Sequence, residues 1–174
     1  MPLHTALADT RLIAALLTAA ETEARALGDA EPGAEHLLLA SLLVDDSSGR
    51  DALTRAAAAS SPAGAAATQA ALDAAAVRTA IGAVHAASLT SVGVVAPELD
   101  SALPPARGVY RSEVSAQEVF QRARVLARRS PSGLRSAHIV LAAAEREHGT
   151  VARVLEHLSV DRAAVVSAAT AEVA

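Results

Sequence analysis

Glu31-Pro32-Gly33-Ala34-Glu35-His36-Leu37-Leu38-Leu39-Ala40-Ser41-Leu42-Leu43 decides how the rest of this chain is read. A Pro-Gly turn signal runs directly into a carboxylate, a histidine and an apolar run. The run is too short to span a bilayer, so it reads as a helix buried on most of its faces. A degenerate copy, Ser136-Ala137-His138-Ile139-Val140-Leu141-Ala142-Ala143-Ala144, follows about one hundred residues later. A repeated unit that cannot close its own core packs against its partner.

Composition supports helices. Of 174 residues, 52% are hydrophobic but only 1% aromatic, so the core is built from Ala, Leu and Val. Such residues suit closely packed helices better than a sandwich. Cysteine is absent, which excludes disulfides and thiolate chemistry. The net charge of -4 gives no bulk attraction to nucleic acid. No apolar segment reaches membrane-spanning length, and the start lacks the basic-then-apolar order of a secretory signal. A cytoplasmic protein is expected.

Working outward, Asp9 or Thr10 is placed to cap a first helix from Arg11 to about Leu27, with Gly28 as its C-cap. The second helix spans about 34–44, and Ser48 is placed to cap a third over 50–59. A long alanine-rich fourth helix is expected over about 65–87, with a break near Gly82. Residues 88–112, rich in proline and glycine, read as an irregular linker. Ser115-Ala116-Gln117-Glu118 has the form of a capping box, starting a helix to about Arg129. Helices over 136–146 and 150–158 and a last one to about Val173 follow. The reading is a single all-α domain: repeat one over about 9–87, the linker, and repeat two over about 113–174.

At these residues the chain resembles the Clp amino-terminal domain, the double four-helix unit at the front of the ClpA, ClpB and ClpC unfoldases. The stretch from Ala24 through Leu27-Gly28 to Glu35-His36-Leu37-Leu38-Leu39-Ala40 aligns with that family's first-repeat pattern without a gap. Val151-Ala152-Arg153-Val154-Leu155-Glu156-His157-Leu158-Ser159-Val160-Asp161 is similar to its A-A-R-V-L-x-x-L-G-V-D ending. The resemblance implies two four-helix Clp repeats related by a pseudo-twofold axis. It also implies a non-enzymatic peptide- or protein-binding module acting as adaptor, decoy or regulator of Clp-dependent proteolysis. Implied partners are a Clp ATPase, its substrates or adaptors, and a phosphoarginine-bearing protein. No ATPase module is present, and without lysine a Walker A loop is impossible.

In ClpC-type members a carboxylate in each repeat grips phosphoarginine, aided by a hydroxyl near the start of the first helix. The resemblance carries these roles to Glu35 and Thr10. In the second copy the carboxylate position is Ala137, preceded by Ser136. Glu35 also reads simply as a helix-start carboxylate complementing the dipole, worth about 0.3–1 kcal/mol. His36 and His138 read as histidines packed between helices. Phe120 and Tyr110, the only two aromatics, are candidate anchors for an alternative role, sequestering or sensing a natural product. Glu145 and His148 have a Glu-x-x-His spacing, but no second pair accompanies them, so neither metal nor cofactor is expected. Arg122, Arg124, Arg128, Arg129 and Arg135 form a basic cluster that reads as a solvated face or a dock for an acidic partner.

Overall fold

The Leu37-Leu38-Leu39 run leaves no polar face for solvent, so its helix must be enclosed by others. The computed structural model describes residues 3–60, 72–94 and 110–174. Among them are eight helices and no strand: α1 (Leu3–Ala26), α2 (Ala34–Leu43), α3 (Ser48–Ser60), α4 (Ala74–Ser91), α5 (Val114–Ala127), α6 (Ser136–Ala144), α7 (Thr150–His157) and α8 (Arg162–Val173). No described helix is long and apolar enough to cross a membrane.

α2 is buried from Ala34 to Leu42, and α6 is buried along its whole length. The two pack on each other and form the centre. α1 covers α2, α5 touches both central helices, and the outer pairs are α3 with α8 and α4 with α7. Full burial of Leu37, Leu38 and Leu39 contributes about 1.5–3 kcal/mol for each side chain. Alanines at 0–1% exposure, such as Ala20, Ala40, Ala52, Ala80 and Ala143, let helix axes approach closely where aromatics would hold them apart.

Gly28 ends α1 as expected. It adopts φ 87, and the Asp29 N–H reaches Ala24 O at 2.8 Å while Gly28 N–H reaches Arg25 O at 3.1 Å. This is the paired-bond helix ending that favours glycine, and it aims Asp29 back over the start of α2. At the end of α7 the same left-handed position, φ 55, falls on Ser159.

The helix starts differ from expectation. α1 begins at Leu3, not Arg11, because nothing from Leu3 to Leu27 breaks a helix. Asp9 therefore lies inside α1 and accepts from the Leu134 N–H at 3.0 Å. The Ser115–Glu118 box does not form. α5 starts at Val114, the Ser115 hydroxyl accepts from the Ala34 N–H of α2 at 3.1 Å, and Glu118 pairs with Arg146. Ser48 likewise serves another helix, accepting from the Ala137 N–H of α6 at 3.0 Å.

α4 is capped by Asp73, whose Oδ1 accepts from Ala76 N–H at 2.8 Å. It runs unbroken through Gly82, and Ser88–Ser91, assigned to the linker by sequence, form its last turn. Gly82 is tolerated mid-helix because neighbouring tertiary contacts outweigh a cost of about 1 kcal/mol. The expected start of this helix at 65–71 and the linker residues 95–109 lie outside the described residues.

Candidate functional site

The Gly28 ending and the start of α2 bring Asp29, Glu35, His36 and His85 to one corner. His36 is the third residue of α2, and its Nδ1 accepts from the Gly33 N–H at 3.0 Å. That bond satisfies a backbone donor the helix leaves unpaired. With Nδ1 as the acceptor, Nε2 is the nitrogen left to donate. Nε2 faces Asp29 Oδ2 at 3.3 Å, yet both atoms are buried without a hydrogen bond. His85, projecting from α4, places Nδ1 3.3 Å from the same Asp29 oxygen and Nε2 3.8 Å from Glu35 Oε1. The two imidazoles meet edge to face, with ring centroids 6.2 Å apart.

Glu35 is 5% exposed. Its carboxylate curls back over Gly33, where a β-carbon would come within 2.4 Å of Oε1. Oε1 also lies 3.4 Å from His36 Nδ1, but that nitrogen's lone pair already faces Gly33. No described hydrogen-bond donor therefore serves the Glu35 carboxylate. The corner can accept donors from a cationic group. It cannot offer the Ala34 N–H to an anion, because Ser115 occupies it.

The start of α6 repeats the histidine but not the charge. His138 Nδ1 accepts from the Arg135 N–H at 3.0 Å, and its Nε2 is buried without a partner. Burial lowers the His138 pKa, and the N–H donated to Nδ1 favours the neutral ring. Ala137 is fully buried. Ser136 is fully buried as well: its hydroxyl donates to Asp46 O at 2.8 Å and accepts from Gly49 N–H at 2.9 Å. Its own N–H reaches Asp46 Oδ2 at 2.6 Å. Burial pushes the Asp46 carboxyl up, but donors from Ser136 and Ser48 outweigh this and hold it below the usual carboxylate range.

Of the residues predicted from sequence, the structure keeps Glu35 at the corner, while Thr10 and Ser136 hold hydrogen-bond partners elsewhere. The Thr10 hydroxyl donates to Ala6 O within α1, about 24 Å along the helix from Ala26 at 1.5 Å per residue. Ser136 belongs to the α3–α6 junction and has no face for a ligand. Phe120 packs against the core. Tyr110 is half-buried, its hydroxyl has no partner among the described residues, and burial, with Glu21 nearby, pushes its pKa up to about 12. Asp29 and His85 were missed. Asp29 looked like an ordinary turn residue, whereas His85 was the one ring in an alanine-rich stretch and was visible as an anomaly. Among the described residues no group of three or more histidine and carboxylate side chains is arranged to hold a metal ion.

No family model matches this sequence, and no curated protein matches it.

Proposed function

We propose that the eight helices are two four-helix units, α1–α4 and α5–α8, related by a pseudo-twofold axis, and that the protein is a non-enzymatic peptide- or protein-binding module resembling the Clp amino-terminal domain. The observation that carries this is the recurrence of one hydrogen bond. In α2 and in α6 the third residue is a histidine whose Nδ1 accepts from the backbone N–H just before the helix, at 3.0 Å both times. The packing supports the same exchange: α1 meets α2 as α5 meets α6, α3 meets α8 as α7 meets α4, and α2 meets α4 as α6 meets α8.

On this reading Glu35 receives a guanidinium through a bidentate, charge-assisted pair, with Asp29 and His85 beside it. The second unit has lost its carboxylate, so one such corner works. The proposed setting is cytoplasmic, and the proposed role is adaptor, decoy or regulator of a Clp unfoldase. Calorimetric titration with a phosphoarginine peptide tests it. Saturable binding that is lost in Glu35→Gln is expected, and no binding by the wild type overturns the assignment to Glu35.

A further inference from the structure

The arginines around α5 separate into two groups. Arg122 is bidentate on Glu145, with bonds of 2.6 and 2.9 Å. Arg135 donates to the Glu172 carbonyl at 2.6 Å and lies 3.9 Å from Asp46 Oδ1. Arg124, Arg128 and Arg129 are exposed, and among the described residues no carboxylate lies within ion-pair distance of them. The dipole at the end of α5 favours a cation there. It does not account for Arg124 and Arg128 together, which stand one turn apart on one face, where like charges repel.

These two guanidiniums border a hollow of about 200 Å³ between α5 and α1, floored by Ile13, Ala127 and Leu134. Asp9 also lines it, with Oδ1 engaged by the Leu134 N–H. Asp9 and Leu134 line a second hollow of about 410 Å³ as well, where Leu12 and Val44 supply apolar wall and Asp45 and Asp46 stand with Arg11 and Arg135 as further charged groups. The two hollows share Asp9 and Leu134 and therefore lie side by side along α1, with Arg124 and Arg128 at the α5 side.

We infer that the two hollows together dock an extended segment of a partner protein in which an acidic residue adjoins aliphatic side chains. The acid pairs with Arg124 and Arg128, and the aliphatic side chain enters the larger hollow. Charge asymmetry in the chain agrees: residues 1–94 carry ten carboxylates and five arginines, whereas 110–174 carry seven and nine. A nucleic acid fits less well, because no aromatic lines either hollow for base stacking and Asp9, Asp45 and Asp46 would repel phosphates there. This inference is independent of the Glu35 corner.

The test is fluorescence anisotropy with a labelled leucine-rich peptide carrying one glutamate, beside the same peptide with glutamine in its place and a thymidine oligonucleotide. Saturable binding of the acidic peptide is expected, weakening with salt. It should weaken about tenfold in Arg124→Ala/Arg128→Ala and hold in Arg129→Ala. Because a loss could follow from misfolding, the charge reversal Arg124→Glu/Arg128→Glu should gain binding of the same peptide with lysine in place of the glutamate. The inference is overturned if the acidic peptide does not bind, if the glutamine peptide binds equally, or if the oligonucleotide binds with the same arginine dependence.

Discussion

The backbone N–H of Arg135 donates to Nδ1 of His138 at 3.0 Å, while the opposite ring nitrogen of His138 is buried without a partner. Protonating this ring would place a charge in the core with nothing to receive it.

This gives a pH dependence of stability. Burial lowers the folded pKa of His138 below the ordinary 6.5, so the unfolded chain binds the proton first. Stability therefore falls as pH drops below about 6.5 and levels off once pH passes the lowered folded value. A glutamine at this position can reach back to the Arg135 N–H without titrating. His138→Gln should stay within about 1 kcal/mol of wild type at pH 7.5 and lose part of the decline between pH 6.5 and 5. Urea denaturation across that range reads it; identical pH curves would count against His138 as the titrating group.

The junction between α3 and α6 depends on Ser136. Ser136→Ala leaves the Gly49 N–H and the Asp46 carbonyl without their partner in a buried place, costing about 1–3 kcal/mol. Thermal melting should show it, with any binding at the Glu35 corner unchanged in affinity. A neutral result would mean the junction relaxes to other partners.

Glu23 is 8% exposed and held by Arg78, whose Nε and Nη2 each donate at 2.7 Å. This pair ties α1 to α4. Arg78→Ala strands the carboxylate, at a cost of about 1–3 kcal/mol given that Arg78 is partly exposed. Glu23→Gln in the same background should recover part of that loss, measured by a double-mutant cycle.

Ser159 ends α7 at φ 55. Left-handed backbone costs an L-residue about 1–2 kcal/mol, and glycine's extra freedom in the unfolded chain returns about 0.5–1 kcal/mol of that. Ser159→Gly should therefore stabilise the protein by about 0.5–1 kcal/mol, read as a raised melting temperature.

Gly33→Ala probes the Glu35 corner without touching its charge. The added carbon displaces a flexible carboxylate, so stability should change by less than about 1 kcal/mol while cation binding at Glu35 weakens. Calorimetry beside a melting curve separates the two effects.

The sequence alone determined that the chain is helical, because the apolar runs at 37–43 and 139–144 are too solid for a half-exposed strand and the composition lacks aromatics. It located the C-cap at Gly28 and the carboxylate at Glu35. Local pattern also misassigned several caps. Ser48 and Ser115 look like caps of their own helices, yet each accepts from the start of a helix distant in the chain. Asp9 accepts from Leu134 N–H. A serine or aspartate satisfies whichever orphan N–H comes within reach, and only packing brings Ala34, Leu134 and Ala137 there. The grouping of Asp29 and His85 with Glu35 was likewise decided by tertiary structure. Helical periodicity fixes which side chains share a face of one helix, but says nothing of which helix end lies against which.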